Sequence, residues 1–454
     1  MKKILAPIIF LVFSSFNATV IESDSANYDG KTMYLKGSVL LKHEKGSITA
    51  DNATIVKEDQ KKGFSSIHVE DHVVFNPSFG GELTADLLDM KAEEKIAYLK
   101  ALNPSSWVTY RGDFSGQPLI FKSSSLLFDF SDDNKQKVFS GIKKIEALGP
   151  VKTTYAKHFK LFSDKAIYKD SEGLLTYFCE ETTQNCTIIY EDKGTIKASK
   201  VILDPQKHIL KAIDPDGVFK SKFYEDILFE AKSLSFDEEG RQLKLSKDVS
   251  IYSMGFTCLN NDEVLFVLDP EHATPCKTLK CEGKTFLFDD KGVNLTCNGS
   301  ILMQRDEKKL YLQGKETPVL FESPLGKIRA NKITIDYDLI DNKTEFTKIF
   351  FEGKVACLND VGLFKEENES VKRYALADFV TYLPNKKELT LKSHKPSKVL
   401  FYDETKKTKF SAEQIVIDLP DQDHKERIKT SGNVRMVFSE KEDAEFKKFF
   451  IFEE

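Results

Sequence analysis

Sustained helical periodicity, a dominant charge, membrane-length apolar runs and tryptophan are all scarce in this chain of 454 residues. The 66 Lys and Arg nearly cancel the 71 Asp and Glu, leaving a net charge of −5. Without a basic footprint, nucleic acid is excluded as the main partner. The eight histidines (43, 68, 72, 158, 208, 272, 394 and 424) are scattered, and no HExxH, GxSxG or phosphate-loop motif occurs. No catalytic residue, metal or cofactor is therefore assigned, and the chain is not read as an enzyme. Cys258, His272, Cys276 and Cys281 match no compact zinc-ligand spacing. The one long apolar run, Ile4 to Phe16, follows the basic start Met1-Lys2-Lys3. It has the form of an export-signal core and falls short of the roughly 20 residues that span a bilayer. Residues 1–18 are read as a signal peptide cut after Ala18 or Ser14, with a retained anchor as the alternative.

What the chain does have is short bursts of alternating apolar residues, which predict strands and an all-β fold. A seven-residue motif recurs: small, polar, any, apolar, any, apolar, and often Asp. Its copies begin at Ser23, Ala50, Ala85, Ser123, Ser163, Ala198, Ala231, Gly283, Ala330, Ala377 and Ala412, eleven in all at spacings of 27 to 52 residues. Recurrence on this scale predicts an array of supersecondary units that must stack to bury their apolar faces. The small residue admits a close bend of the backbone, and the Asp closes the strand through its own turn chemistry. A second strand type opens on Gly-x-Val, as at Gly37-Ser38-Val39 and Gly353-Lys354-Val355, with Asp71-His72-Val73 and Lys247-Asp248-Val249 as variants. Residues 19–454 are read as one repeat region with soft boundaries near 145–160 and 255–282, the latter as an inserted loop. Lys91 to Ala101 fits either a strand pair or a short helix, and the Phe-rich C-terminus supplies at most an edge strand.

Seven cysteines in an exported chain make disulfides an expectation, with at least one thiol left over. Cys179 and Cys186 flank a turn-like hexapeptide and are placed to cross-link one hairpin.

The blocks Ser23-Asp24-Ser25-Ala26-Asn27-Tyr28-Asp29, Tyr34-Leu35-Lys36-Gly37-Ser38-Val39 and Ile48-Thr49-Ala50-Asp51-Asn52-Ala53 resemble the OstA-like family. Its members include the periplasmic lipopolysaccharide-transport proteins LptA and LptC and the N-terminal domain of LptD. The resemblance implies an elongated two-sheet open jelly roll, with an apolar groove that shelters the acyl chains of lipopolysaccharide or a related lipooligosaccharide. It also implies a periplasmic location and partners among other envelope transport proteins, joined through sheet edges near Ile21–Tyr28 and Val434–Phe438. The groove candidates are the fourth and sixth motif positions: Ala26, Tyr28, Ala53, Ile55, Leu126, Phe128, Val201, Leu203, Leu234, Phe236, Phe286, Phe288, Ile333, Ile335, Val380, Tyr382, Ile415 and Ile417. Leu88/Met90 and Ala166/Tyr168 hold the same positions. The alternative is a structural or adhesive β-solenoid or scaffold of the envelope, with the same residues filling a closed core.

Overall fold

A computed structural model describes residues 18–43, 46–57, 64–78, 80–114, 116–130, 142–179, 186–191, 193–220, 226–237, 239–253, 256–268, 276–288, 292–323, 326–340, 343–359, 372–404, 406–419 and 427–450. Residues 1–17, which hold the apolar run Ile4 to Phe16, lie outside these. The chain is all-β: among the described residues the strands pair antiparallel, and one α-helix, Glu440–Phe449, exceeds a single turn. Two compact units divide at Ile213 and Asp214.

Each unit consists of two layers built largely from the same strands. The strand Gly46–Lys57 shows how this works. Its first half pairs with Val39–His43 and with Val74–Pro77; its second half pairs with Thr32–Lys36 and with Phe64–Glu70. Ile48, Ala50, Ala53 and Ile55 are all buried. In a straight strand Ala50 and Ala53 would face opposite sides. The inward parity flips across Asp51-Asn52 because the chain there leaves one layer and enters the other. The line along which successive strands make this passage is here called the crease.

The recurring motif is the sequence of that passage. Its first, small residue is the last inward position of one layer, and Ala50, Ala85, Ser123, Ala198, Ala330 and Ala412 are all buried there. The layers converge at this point, so only a short side chain fits. In most copies the fourth and sixth positions face inward in the other layer. Opposite many of these passages, the neighbouring strand carries an extra residue. Gly37-Ser38 oppose Asp51 alone, Asp71-His72 oppose Asp86, Lys247-Asp248 oppose Asp262, and Gly353-Lys354 oppose Asp378. Each two-against-one bulge is a pair of consecutive left-handed residues, for example Gly37 at φ 76° and Ser38 at φ 46°. The next residue, Val39, Val73, Val249 or Val355, is fully buried. The Gly-x-Val signature is therefore a bulge followed by an inward anchor.

The polar second position serves the crease as well. Asp86 Oδ2 accepts from Leu102 N–H at 2.7 Å and from Ser106 Oγ at 2.5 Å, closing the loop that carries the chain from the strand Ile96–Lys100 to Val108–Phe114. The Ser106 hydroxyl, with backbone N–H groups of the loop, holds the Asp86 carboxyl below its ordinary value. Asp378 Oδ2 does the same for His394 N–H at 2.8 Å. The terminal Asp behaves as expected of turn chemistry: Asp29, Asp204 and Asp237 accept from Thr32, Lys207 and Gly240 N–H at 2.6, 3.1 and 3.1 Å.

Two expectations are corrected and one open choice is settled. Residues 255–282 are no inserted loop: Phe256–Leu268 and Cys276–Phe288 are long strands paired with each other, and Asp269-Pro270 and Pro275 lie outside the described residues. Lys91 to Ala101 resolves as a strand pair, Glu82–Lys91 with Ile96–Lys100, because the pair buries Leu88 and Leu99. The C-terminal docking edge is absent, since within Val434–Phe438 only Arg435 bridges to Ser411. The chain then forms a helix with a capping box: Glu442 N–H donates to Ser439 Oγ at 3.3 Å, and Ser439 N–H to Glu442 Oε2 at 2.6 Å. Phe446 and Phe450 pack on Ala356, Tyr374, Leu376 and Leu400. The aromatic residues bury more apolar surface against a sheet face than an edge strand would offer them.

The bulge is testable at Gly37, where an added Cβ would lie 2.5 Å from Asp24 Oδ2 at a φ that β-branched residues avoid. Gly37→Val is expected to cost about 1–3 kcal/mol, read as a lower urea midpoint. Ser38→Gly should stay within about 0.5 kcal/mol of the parent, because glycine accepts the left-handed φ that serine tolerates.

Candidate functional site: the interior between the layers

Along the crease, among the described residues, strands and linking segments pass from layer to layer. On the opposite side each layer ends in its own hairpins. In the first unit these join, for example, Thr32–His43 to Gly46–Lys57, Val108–Phe114 to Gln117–Ser123 and Glu82–Lys91 to Ile96–Lys100. The second unit repeats the arrangement with Val319–Ser323 to Gly326–Ala330 and Arg373–Leu383 to Glu388–Lys392. Among the described residues, the layers of each unit are thus joined through backbone along one side only.

Most groove candidates face the space between the layers. Ala53, Ile55, Leu126, Phe128, Val201, Leu203, Leu234, Phe236, Ile333, Ile335, Val380, Ile415 and Ile417 are buried. Phe286 and Tyr382 are half-buried. Ala26 and Tyr28 are exposed, Tyr28 at 54%, because their strand pairs on one side only and carries little cover. Phe288 closes a strand, but its side chain lies outside the described ones.

Two cavities lie within this space, one per unit. The first, about 50 Å³, is bounded by Tyr110, Leu119 and Phe121 from one layer and by Phe128, Ala147 and Leu175 from the other. Burial pushes the Tyr110 hydroxyl up to about 12, so it stays neutral beside the cavity. The second, about 70 Å³, lies at the hairpin side, where Ser323, Lys327 and Arg373 face Tyr382, Leu389 and Leu419. Its charged members are paired: Lys327 with Glu322 at 2.7 Å, and Arg373 Nε with Asp403 at 3.1 Å. Each cavity has room for one or two water molecules, about 30 Å³ each in the liquid. Polar ties also cross the interior, such as the Tyr177 hydroxyl to Thr153 Oγ1 at 3.1 Å. Sequence reasoning missed this tie, because neither Tyr177 nor Thr153 lies in a copy of the motif.

No group of three His, Cys, Asp or Glu able to hold a metal occurs among the described residues. The notable charged group is on the outer face of the first unit. His68 Nδ1 meets Asp89 Oδ1 at 2.5 Å, and its Nε2 contacts Glu70. His72 Nδ1 lies 2.7 Å from Asp51 Oδ2. Asp89, and then Glu70, raise the His68 pKa above its ordinary value.

No family model matches this chain, and no curated protein does. Among solved structures, LptH of Pseudomonas aeruginosa, described as the LptA-homologous periplasmic component of a lipopolysaccharide transport device, aligns at 12% identity. That alignment covers 33% of this chain and 96% of that one, with a TM-score of 0.26. The tricorn protease aligns at 8% identity over 89% of this chain and 62% of that one, with a TM-score of 0.10.

Two measurements probe the interior and the histidine. Phe128→Ala should destabilise the protein by roughly 3–5 kcal/mol in urea, the usual cost of truncating a buried aromatic. The raised His68 pKa stabilises the fold fully below the unfolded value, about 6.5. That contribution is lost as pH rises through the folded value. His68→Gln should therefore flatten the stability profile above pH 6.5, with the largest loss relative to the parent on the acid side.

Proposed function

We propose that this protein carries an amphipathic lipid, with the acyl chains held between the layers of its units and the polar head at the hairpin side. The observation that carries this reading is the one-sided joining of the layers. A sandwich hinged along a crease, and closed elsewhere among its described residues only by side-chain contact, can part without breaking a strand pair. The faces it would expose are apolar. Leaving a lipid chain in water costs about 0.8 kcal/mol per CH₂, so a dozen carbons cost on the order of 10 kcal/mol. A run of equivalent inward positions, repeated motif by motif, removes that cost while leaving successive sites close in energy. The cavities are far smaller than an acyl chain, so loading requires the hairpin sides to separate.

The motif order that resembles the OstA-like family supports lipopolysaccharide or a related lipooligosaccharide as the cargo and the periplasm as the place of work. It also supports envelope transport proteins as partners. The N-terminal strands Ala18–Glu22 and Ser25–Tyr28, each paired on one side only among the described residues, supply a sheet edge for β-augmentation. The reading involves no catalytic step. A second reading, a structural module of the envelope whose interior is its permanent core, is favoured by the near-complete burial of the inward residues and by the Tyr177–Thr153 tie.

Native mass spectrometry of the full chain, purified from its own envelope, separates the two, together with photocrosslinkers at Tyr110, Tyr382 and the exposed Tyr34. A carrier yields glycolipid adducts at Tyr110 and Tyr382 and none at Tyr34. Protein free of lipid, with crosslinks to neighbouring side chains alone, would establish the structural module.

A further inference from the structure

Two cysteine pairs sit at the crease, one in each unit, and each brings together one sulfur from either layer. In the first unit Cys179 follows the strand Leu174–Phe178, which pairs in one layer with Lys200–Leu203; Cys186 opens the strand Cys186–Tyr190, which pairs in the other with Gly194–Ala198. Their sulfurs are 3.0 Å apart. In the second unit Cys258 and Cys281 belong to neighbouring strands but not to opposed positions. Cys258 opposes Leu287 in one layer, whereas Cys281 opposes Val264 in the other. The turn of both strands at the crease nevertheless brings their sulfurs to 3.7 Å.

We propose that Cys258 and Cys281 form a cystine that staples the two layers of the second unit at the crease, the counterpart of a Cys179–Cys186 staple in the first. The surroundings of Cys258 favour this chemistry. Asn261 is buried, and its Nδ2 donates to Val249 O and to Cys258 Sγ, each at 3.3 Å. Thr285 Oγ1 donates to Asn261 Oδ1 and fixes the orientation of the amide. Cys297 and Cys357 are placed differently: the Cys297 thiol donates to Gln313 O at 3.5 Å and to Ser300 O at 3.8 Å, and Cys357 lines the second cavity.

A low-molecular-weight disulfide such as oxidised glutathione serves as the oxidant. The Cys258 thiolate attacks one of its sulfurs and expels glutathione thiolate. The Cys281 thiolate then attacks the Cys258 sulfur of the mixed disulfide and expels the second glutathione. Two electrons pass to the oxidant, and the two cysteine protons leave on the two glutathione thiols. Both sulfurs are buried in the folded chain, so the exchange takes place before the layers close. The staple lies along the joined side and leaves the hairpin side unfastened, so it does not depend on whether the interior holds lipid.

The test refolds the reduced full chain in a glutathione redox buffer, alkylates it under denaturing conditions and maps the peptides. The expected result is a Cys258–Cys281 linked peptide, with Cys297 and Cys357 alkylated. Cys281→Ser should leave Cys258 alkylated and lower Tm by on the order of 5–10 °C, whereas Cys297→Ser should keep the link. Alkyl groups on both Cys258 and Cys281 in the folded natural chain, or either one bonded elsewhere, would overturn the proposal. That mapping decides even if Cys281→Ser fails to fold. A lipid-free protein bearing the link would remove the carrier reading and leave the staple intact.

Discussion

Everything in this fold depends on getting an antiparallel strand across a crease without losing its inward face. A strand that passes between layers must shift its side-chain parity, and its neighbour must absorb the shift with an extra residue. The space between converging layers also favours a short side chain at the last inward position, alanine or serine in most passages and Asn261 in one. These demands together produce the recurring motif on one strand and the left-handed pair on the next. The carboxylates at the second motif position follow from the same demand. Asp86 and Asp378 accept backbone N–H groups from segments that leave one layer for the other and have no ladder partner there.

The crease also explains how one sequence supports two functional readings. Inward residues such as Ile335 and Val380 are fully buried, as in any packed sandwich. Yet among the described residues the layers of each unit are linked by backbone along one side, and side-chain contact alone closes the other. Packing that is stable when shut can still be hinged. A cystine at the crease fits either state, because it fastens the side that does not move.

The C-terminal segment shows how local and tertiary effects divide. Ser439-Glu440-Lys441-Glu442 is a capping box, acidic residues fill the first turn, and Lys447 and Lys448 stand in the last. These helix signals are present in the sequence. The Phe-rich end, Phe446 to Phe452, obscures them, because aromatics at close spacing fit an edge strand as readily as a docked helix. The aromatic surface of Tyr374 and Tyr402 decides the matter, and it belongs to strands some forty to seventy residues away.

Much of the architecture was therefore written in the sequence. Period-two alternation, the small residue three positions before the first inward apolar one, and Asp at strand ends are local rules, set by strand geometry and turn chemistry. They determined the all-β class, the repeat and most of the inward residues. The tertiary structure decided what depends on residues far apart in the chain. It exposed Ala26 and Tyr28 for want of a covering partner, and it turned residues 255–282 into paired strands. It also placed Cys258 beside Cys281 although the two do not oppose one another in the ladder. Local pattern fixes which way a side chain points relative to its strand; only the turn of the strands at the crease fixes what it meets there.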